Sequence, residues 1–231
     1  MLEAALFDWP FFALLVGLLG AAILLGWPRR AGALSRWRDP AWLVCWMLPV
    51  YMLHQFEEHG VDFLGERYHF IDDLCLSLGH ADLAQCPANP AFILAVNVGV
   101  WVSGVFAILE RRRNLMVGAC ALGLPFVNAL AHLGQALYRG SYNSGLLSAV
   151  VLFLPLVIWT LLQLWRAHVL DAKRLGVVVA SGLLMHVVLI ASLAAHGAGR
   201  LPELPLLLIN FFNGFLPVAL GTLFRPATPG G

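Results

Sequence analysis

The sequence predicts an all-α fold, a polytopic transmembrane helix bundle of seven spans with its N-terminus outside and its C-terminus inside. Three observations lead there. First, 60% of the 231 residues are hydrophobic and 12% are charged, outside the range of a soluble domain. Second, apolar runs of about 20 residues, long enough to cross a bilayer, recur along the chain, and most of them lack polar stripes at helical period. Third, the basic residues gather in alternate connections between those runs.

The spans are expected at 9–27, 41–60, 91–109, 115–137, 145–165, 175–196 and 203–223, within a single membrane domain covering 1–231. The first reads as a retained helix and not a cleaved signal, because Glu3 and Asp8 precede it and the arginines follow it. The second is the least apolar: its greasy part covers only 41–53, and to cross it must carry His54–His59 with it. The inner connections then hold Arg29, Arg30, Arg36, Arg38, Arg111, Arg112, Arg113, Arg166, Lys173, Arg174 and Arg225, eleven of the 14 basic residues. Only Arg67, Arg139 and Arg200 face out. This bias sets the orientation, and it implies the lipid bilayer as partner and no nucleic acid. A bacterial inner (plasma) membrane is the expected location.

One long outside loop, 60–90, carries Cys75 and Cys86, which an oxidising exterior allows to pair. Its middle is expected to form a short helix on the membrane surface. Cys45 and Cys120 fall within spans and read as packing residues, and the tail "RPATPGG" reads as frayed.

Intramembrane polar residues are costly in lipid and should face one another or a wet cavity. Here they share one leaflet. His54, Glu57 and Glu58 lie at the outer end of the second span, and Asn97 in the outer third of the next. Asn128, His132 and Gln135 lie in the outer half of the fourth, His186 near the middle of the sixth, and Asn210 and Asn213 in the outer half of the seventh. A cavity open to the outer leaflet accounts for their common depth. Helical spacing puts His54, Glu57 and Glu58 on one face at i, i+3 and i+4, joined from below by Tyr51, with His59 about 140° away. Asn128 and His132 are i and i+4 on their own helix.

Imidazole and carboxylate on one helix, with imidazole and amide on another, form a plausible metal nest. In H-x-x-E-H metalloproteases the outer residues bind zinc and the middle Glu is the base. By that analogy His54 and Glu58 are ligands, Glu57 is the base, and His132 is the third ligand, with a fourth position open for water. Asn128 orients the water or a substrate carbonyl, and His186 is a fourth ligand or a donor behind one. The implied cofactor is a divalent metal, zinc before iron. Bland readings stand beside these: solvated acids ending a helix, an interhelical Asn128–His132 pair, and Asn210 and Asn213 as packing glue.

"HQFEE" at 54–58, "NALAH" at 128–132 and "YNSG" at 142–145 resemble, in order and spacing, the three signatures of the HXXEE-motif membrane proteins. The resemblance covers 43–162 and leaves the last two spans outside it. It implies a helical membrane protein with an enzymatic role, and carries His54, Glu57, Glu58, Asn128, His132 and Tyr142 over as functional residues. It supplies no reaction. Ser144 stands where members often have proline, which bears on the stiffness of the turn. An interfacial anchor is the bland alternative for Tyr142.

The leading expectation is a metal-dependent enzyme, a hydrolase of a lipid or other hydrophobic substrate entering from the outer leaflet. The alternative is a metal-free acid/base isomerase or cyclase of sterol- or isoprenoid-like substrates, in which one Glu of the pair keeps its proton. A transporter needs polar groups in both leaflets, and the inner half is poor in them. The only lysine, Lys173, lies outside the spans, which excludes a retinal Schiff base.

Overall fold

The computed structural model describes residues 2–28, 35–80, 82 and 86–226. Arg29, Arg30 and the tail from 227 onward lie outside the described residues. The described residues are mostly helical, with no strand among them beyond one isolated bridge between Val61 and Arg67.

Eight helices follow in chain order. α1 is Leu2–Gly26. α2 runs over 40–59 as one path, with a tight 3₁₀ turn at Val44–Trp46 inside it. α3 is the short helix His69–Ser77 in the long loop, where the sequence anticipates one. α4 is Pro90–Glu110, α5 Leu115–Arg139, α6 Leu146–Arg166, α7 Ala172–Gly197 and α8 Glu203–Leu223. The starts are set locally. Pro90 and Pro40 occupy first-turn positions that need no N–H, and Asn89, Asn114 and Asp171 accept from backbone N–H groups two or three residues on. Cys75 and Cys86 form the expected disulfide, tying α3 to the segment that enters α4.

Among the described residues six helices are long and apolar enough to cross a membrane: the 8–26 part of α1, and α4 to α8. α2 is not among them. Its twenty residues span about 30 Å, comparable with the bilayer core, but its last turns carry His54, Gln55, Glu57, Glu58 and His59, all buried. Those groups are tolerated because α2 is the axis of the bundle: α1, α3, α4, α5 and α6 all pack on it. Its neighbours face outward instead, with Leu15, Leu18, Leu19 and Ile23 of α1 and Leu183, Val187 and Ile190 of α7 exposed, as lipid-facing surfaces should be.

Close helix approach uses small residues. A Cβ at Gly123 of α5 would lie 2.1 Å from the Val178 carbonyl oxygen of α7, and one at Gly182 would lie 2.0 Å from the Gly123 oxygen. Side-chain amides add crosslinks. Tyr51 donates to Asn97 Oδ1 (3.0 Å), Asn210 to Ser192 Oγ (2.9 Å) and Asn213 to the Met185 carbonyl (2.8 Å). Asn97, Asn210 and Asn213 therefore act as interhelical glue. Gln135 and Arg139 instead dock the end of α5 on Ser77 and Asp73 of α3.

Candidate metal centre

The end of α2, the second half of α5 and the start of α6 meet at one end of the bundle. The basic connections, including Arg36, Arg38 and Arg111–Arg113, lie at the opposite ends of α2, α4 and α5. At the meeting point His54, Glu58 and His132 bring one ligand atom each to within 4.8 Å of one another. All three are buried, at 0%, 5% and 5% exposure, so water does not dilute their interaction.

Their hydrogen bonds define which atoms are free. Asn143 Nδ2 donates to the His132 carbonyl at 3.0 Å, so its Oδ1 is the atom 2.6 Å from His132 Nδ1. An oxygen there accepts, so Nδ1 carries the hydrogen and a neutral His132 has its lone pair on Nε2. That lone pair faces Glu58 Oε1 at 3.1 Å. The same logic holds for His54. Ser148 Oγ donates to the Gly145 carbonyl (3.3 Å) and so accepts from His54 Nδ1 (2.8 Å). His54 Nε2 is then also a bare lone pair, buried without a hydrogen-bond partner, 3.4 Å from Glu58 Oε2.

Three acceptors aimed at one another call for a cation between them. Ligands about 2.1 Å from a tetrahedral ion stand about 3.4 Å apart, the same scale as the 3.1 and 3.4 Å separations here. The group fits a metal ion in ligand type, spacing and tautomer. A shared proton would satisfy only the His132–Glu58 pair.

The surroundings hold these groups as metal ligands are usually held, by hydrogen bonds from behind. Gln55 Nε2 donates to Glu58 Oε2 at 3.1 Å. His59, expected to point away, reaches the same oxygen at 3.2 Å. The Phe153 ring packs 4.3 Å from His54, on a π-helical turn, Ala149–Phe153, that widens the start of α6.

The turn between α5 and α6 closes the site, and each of its residues has a task. Tyr142 donates to Glu57 Oε1 at 2.6 Å. Burial first, and then this bond, raise the Tyr142 phenol well above its usual range, so it remains a donor. Asn143 fixes His132, and Ser144 Oγ donates to Asp62 Oδ2 at 3.2 Å, tying the turn to the loop after α2. Gly145 has φ +93°, and a Cβ on it would lie 2.9 Å from Cε1 of both His132 and His54. Only glycine lets the backbone lie against the two imidazoles.

Glu57 does not face the imidazole pair. Oε1 accepts from Tyr142 and from the Leu147 N–H (3.0 Å), and Oε2 from the Ser148 N–H (2.6 Å). It caps the N-terminus of α6, where backbone N–H groups have no partner within the helix.

The sequence-predicted residues therefore divide. His54, Glu58 and His132 come together, and Tyr142 and Glu57 meet beside them. His186 lies outside the three-residue group, its Nδ1 taken by the Gly182 carbonyl one turn back on α7 at 2.8 Å. Asn128 sits one turn below His132, with a buried Oδ1 that has no partner among the described residues. Sequence reasoning missed Asn143, Gly145 and Ser148. The signal available for them was proximity to Tyr142, since all lie within "YNSGLLS".

The profile of the family described as "protein of unknown function with HXXEE motif" matches residues 45–160, just over half of the chain and all three signatures. The chain belongs to this family. In this HXXEE protein the name-giving motif supplies two of the three residues that could hold a metal, His54 and Glu58, plus the anchor Glu57. No curated protein and no solved structure matches the chain.

Proposed function

We propose that this HXXEE protein is a metal-dependent membrane enzyme, a hydrolase of a lipid or other hydrophobic substrate, with zinc held by His54, Glu58 and His132. The reading rests on the bare, buried Nε2 atoms of two imidazoles converging on one carboxylate. A bound zinc supplies a polarised carbonyl or an activated water at neutral pH. The chain's own groups do the rest. Ser148 and Asn143 keep Nε2 of each imidazole deprotonated, and Gln55 orients Glu58. Glu57 is a positioning residue in this reading, because its oxygens already accept three hydrogen bonds. His59 Nε2 lies 3.2 Å from Glu58 Oε2 and supports that ligand carboxylate from behind. The hydrophobic substrate of this reading is in keeping with six helices apolar and long enough to cross a membrane.

Metal analysis of the purified protein tests this. One zinc or iron per chain is expected, lost in His54→Ala and in His132→Ala, with release of fatty acid or headgroup from phospholipid vesicles lost alongside. A folded wild-type protein that carries no metal and takes up none overturns the reading. Activity in that metal-free state would point to acid/base isomerisation through the His132–Glu58 pair.

A further inference from the structure

A cavity of about 630 Å³ lies between α1, residues 41–52 of α2 and the end of α4, and its arginine-lined end is at the opposite end of α2 from the metal ligands. None of His54, Glu58 or His132 lines it. Its α2 wall is Ala41, Cys45, Leu48, Pro49 and Met52, which share a helix face at i, i+4, i+7, i+8 and i+11. Its volume is in the range of ligand sites.

The two ends of the cavity differ in chemistry. Val16, Leu48 and Met52 make the deep end apolar. At the other end stand Arg36, Arg111 and Arg112, against the single acid Asp39, whose Oδ1 already accepts from the Ala41 N–H. Arg36 and Arg111 are pinned by bonds to the carbonyls of Leu25, Trp27 and Ile108, which fixes two guanidiniums beside the mouth. Ile23 and Trp27 line the cavity and are also 60% and 46% exposed, so it opens sideways where lipid would lie.

We propose that this cavity is a binding site for one anionic phospholipid of the surrounding bilayer, its phosphodiester at Arg111 and Arg112 and one acyl chain running toward Met52. Guanidinium groups match phosphate oxygens in charge and geometry. The apolar wall from residue 41 to 52 is about 17 Å long, close to one leaflet of a hydrocarbon core about 30 Å thick. That length suits a membrane lipid and not a small soluble anion. The inference is independent of the proposed enzymatic reading.

Native mass spectrometry of the full chain, titrated with phosphatidylglycerol and with phosphatidylcholine of matched acyl chains, tests it. One phosphatidylglycerol per chain should be retained about tenfold more tightly than phosphatidylcholine. R111Q/R112Q should bring the two lipids to parity, and R111K/R112K should keep the preference. Ala41→Trp should fill the mouth and lower occupancy by both lipids. Millimolar inorganic phosphate should not displace the lipid. Equal retention of both lipids by the wild type, unchanged retention in A41W, or full displacement by phosphate would each overturn the proposal. The wild-type comparison and the lysine pair decide the matter even if the bulky variant does not fold.

Discussion

Asn143→Ala removes no proposed ligand, yet it should cost this protein most of its metal affinity. Asn143 Oδ1 lies 2.6 Å from His132 Nδ1, and Nδ2 lies 3.0 Å from the His132 carbonyl. At 5% exposure His132 has little access to replacement water. An orphaned buried N–H costs about 1–3 kcal/mol. The imidazole can escape that cost by moving its proton to Nε2, where Glu58 Oε1 waits at 3.1 Å. The ligand lone pair then disappears, and a metal must reverse the change to bind. Loss of a hydrogen bond behind a metal ligand typically lowers affinity about 10–100-fold, or about 1.4–2.7 kcal/mol, in line with the orphaned N–H. Asn143→Asp keeps the acceptor that fixes the tautomer, at the expense of an oxygen facing the His132 carbonyl. It should bind metal more tightly than N143A even where it melts earlier. The assay is competition for Zn²⁺ against a chromophoric chelator in detergent. Wild-type affinity in N143A, or equal loss in both variants, would refute the tautomer argument.

Three further outcomes follow from the same geometry. Gly145→Ala, at φ +93° and with a Cβ 2.9 Å from both imidazoles, should push the ligands apart and lower Zn²⁺ affinity at least as far as N143A in the same competition assay. Glu57→Gln should lose about 1–3 kcal/mol of stability, read as a lowered thermal midpoint, because an amide cannot accept from both the Ser148 N–H and the Tyr142–Leu147 pair. Its metal content should be retained under conditions where it is folded. His186→Ala should leave metal content and affinity unchanged, since His186 lies outside the three-residue group of converging ligand atoms, and metal loss there would place a fourth ligand on α7.

The helices were legible because apolar runs and charge breaks are local. Asn89-Pro90 and Asp171 mark their own helix starts, and the 115–137 and 203–223 expectations lie within two residues of α5 and α8. α2 was harder to read, because whether its polar end can be buried depends on five neighbours distant in sequence. The pairing of His54, Glu58 and His132 was legible from i, i+4 spacing and common depth. The roles of the two glutamates were not. Spacing placed both on one broad face, but it carries no information about the N-terminus of α6, which captures Glu57. Nor could it show that Asn143 and Ser148 would set the tautomers, since that depends on how the turn after α5 folds back over the site. His186 was placed by depth alone, the only coordinate available for it, and it lies outside the three-residue group.

The adjacent glutamates explain why the three signatures belong together. Neighbouring residues on a helix project about 100° apart, so one carboxylate can enter the imidazole pair only if the other looks elsewhere. Here Glu58 turns to His132, and Glu57 turns to Tyr142 and the first turn of α6. Tyr142 belongs to the turn whose next residue, Asn143, holds His132, and His132 returns to Glu58. The contacts form a closed ring through α2, the turn and α5, and each signature bonds to another. Gly145 lies inside that ring, and Ser148, on the same turn, holds the remaining imidazole of His54. A ring of this kind fixes two imidazole tautomers and one carboxylate without a metal being present. Folding alone thus arranges three lone pairs that repel one another, and that repulsion is what a bound cation relieves.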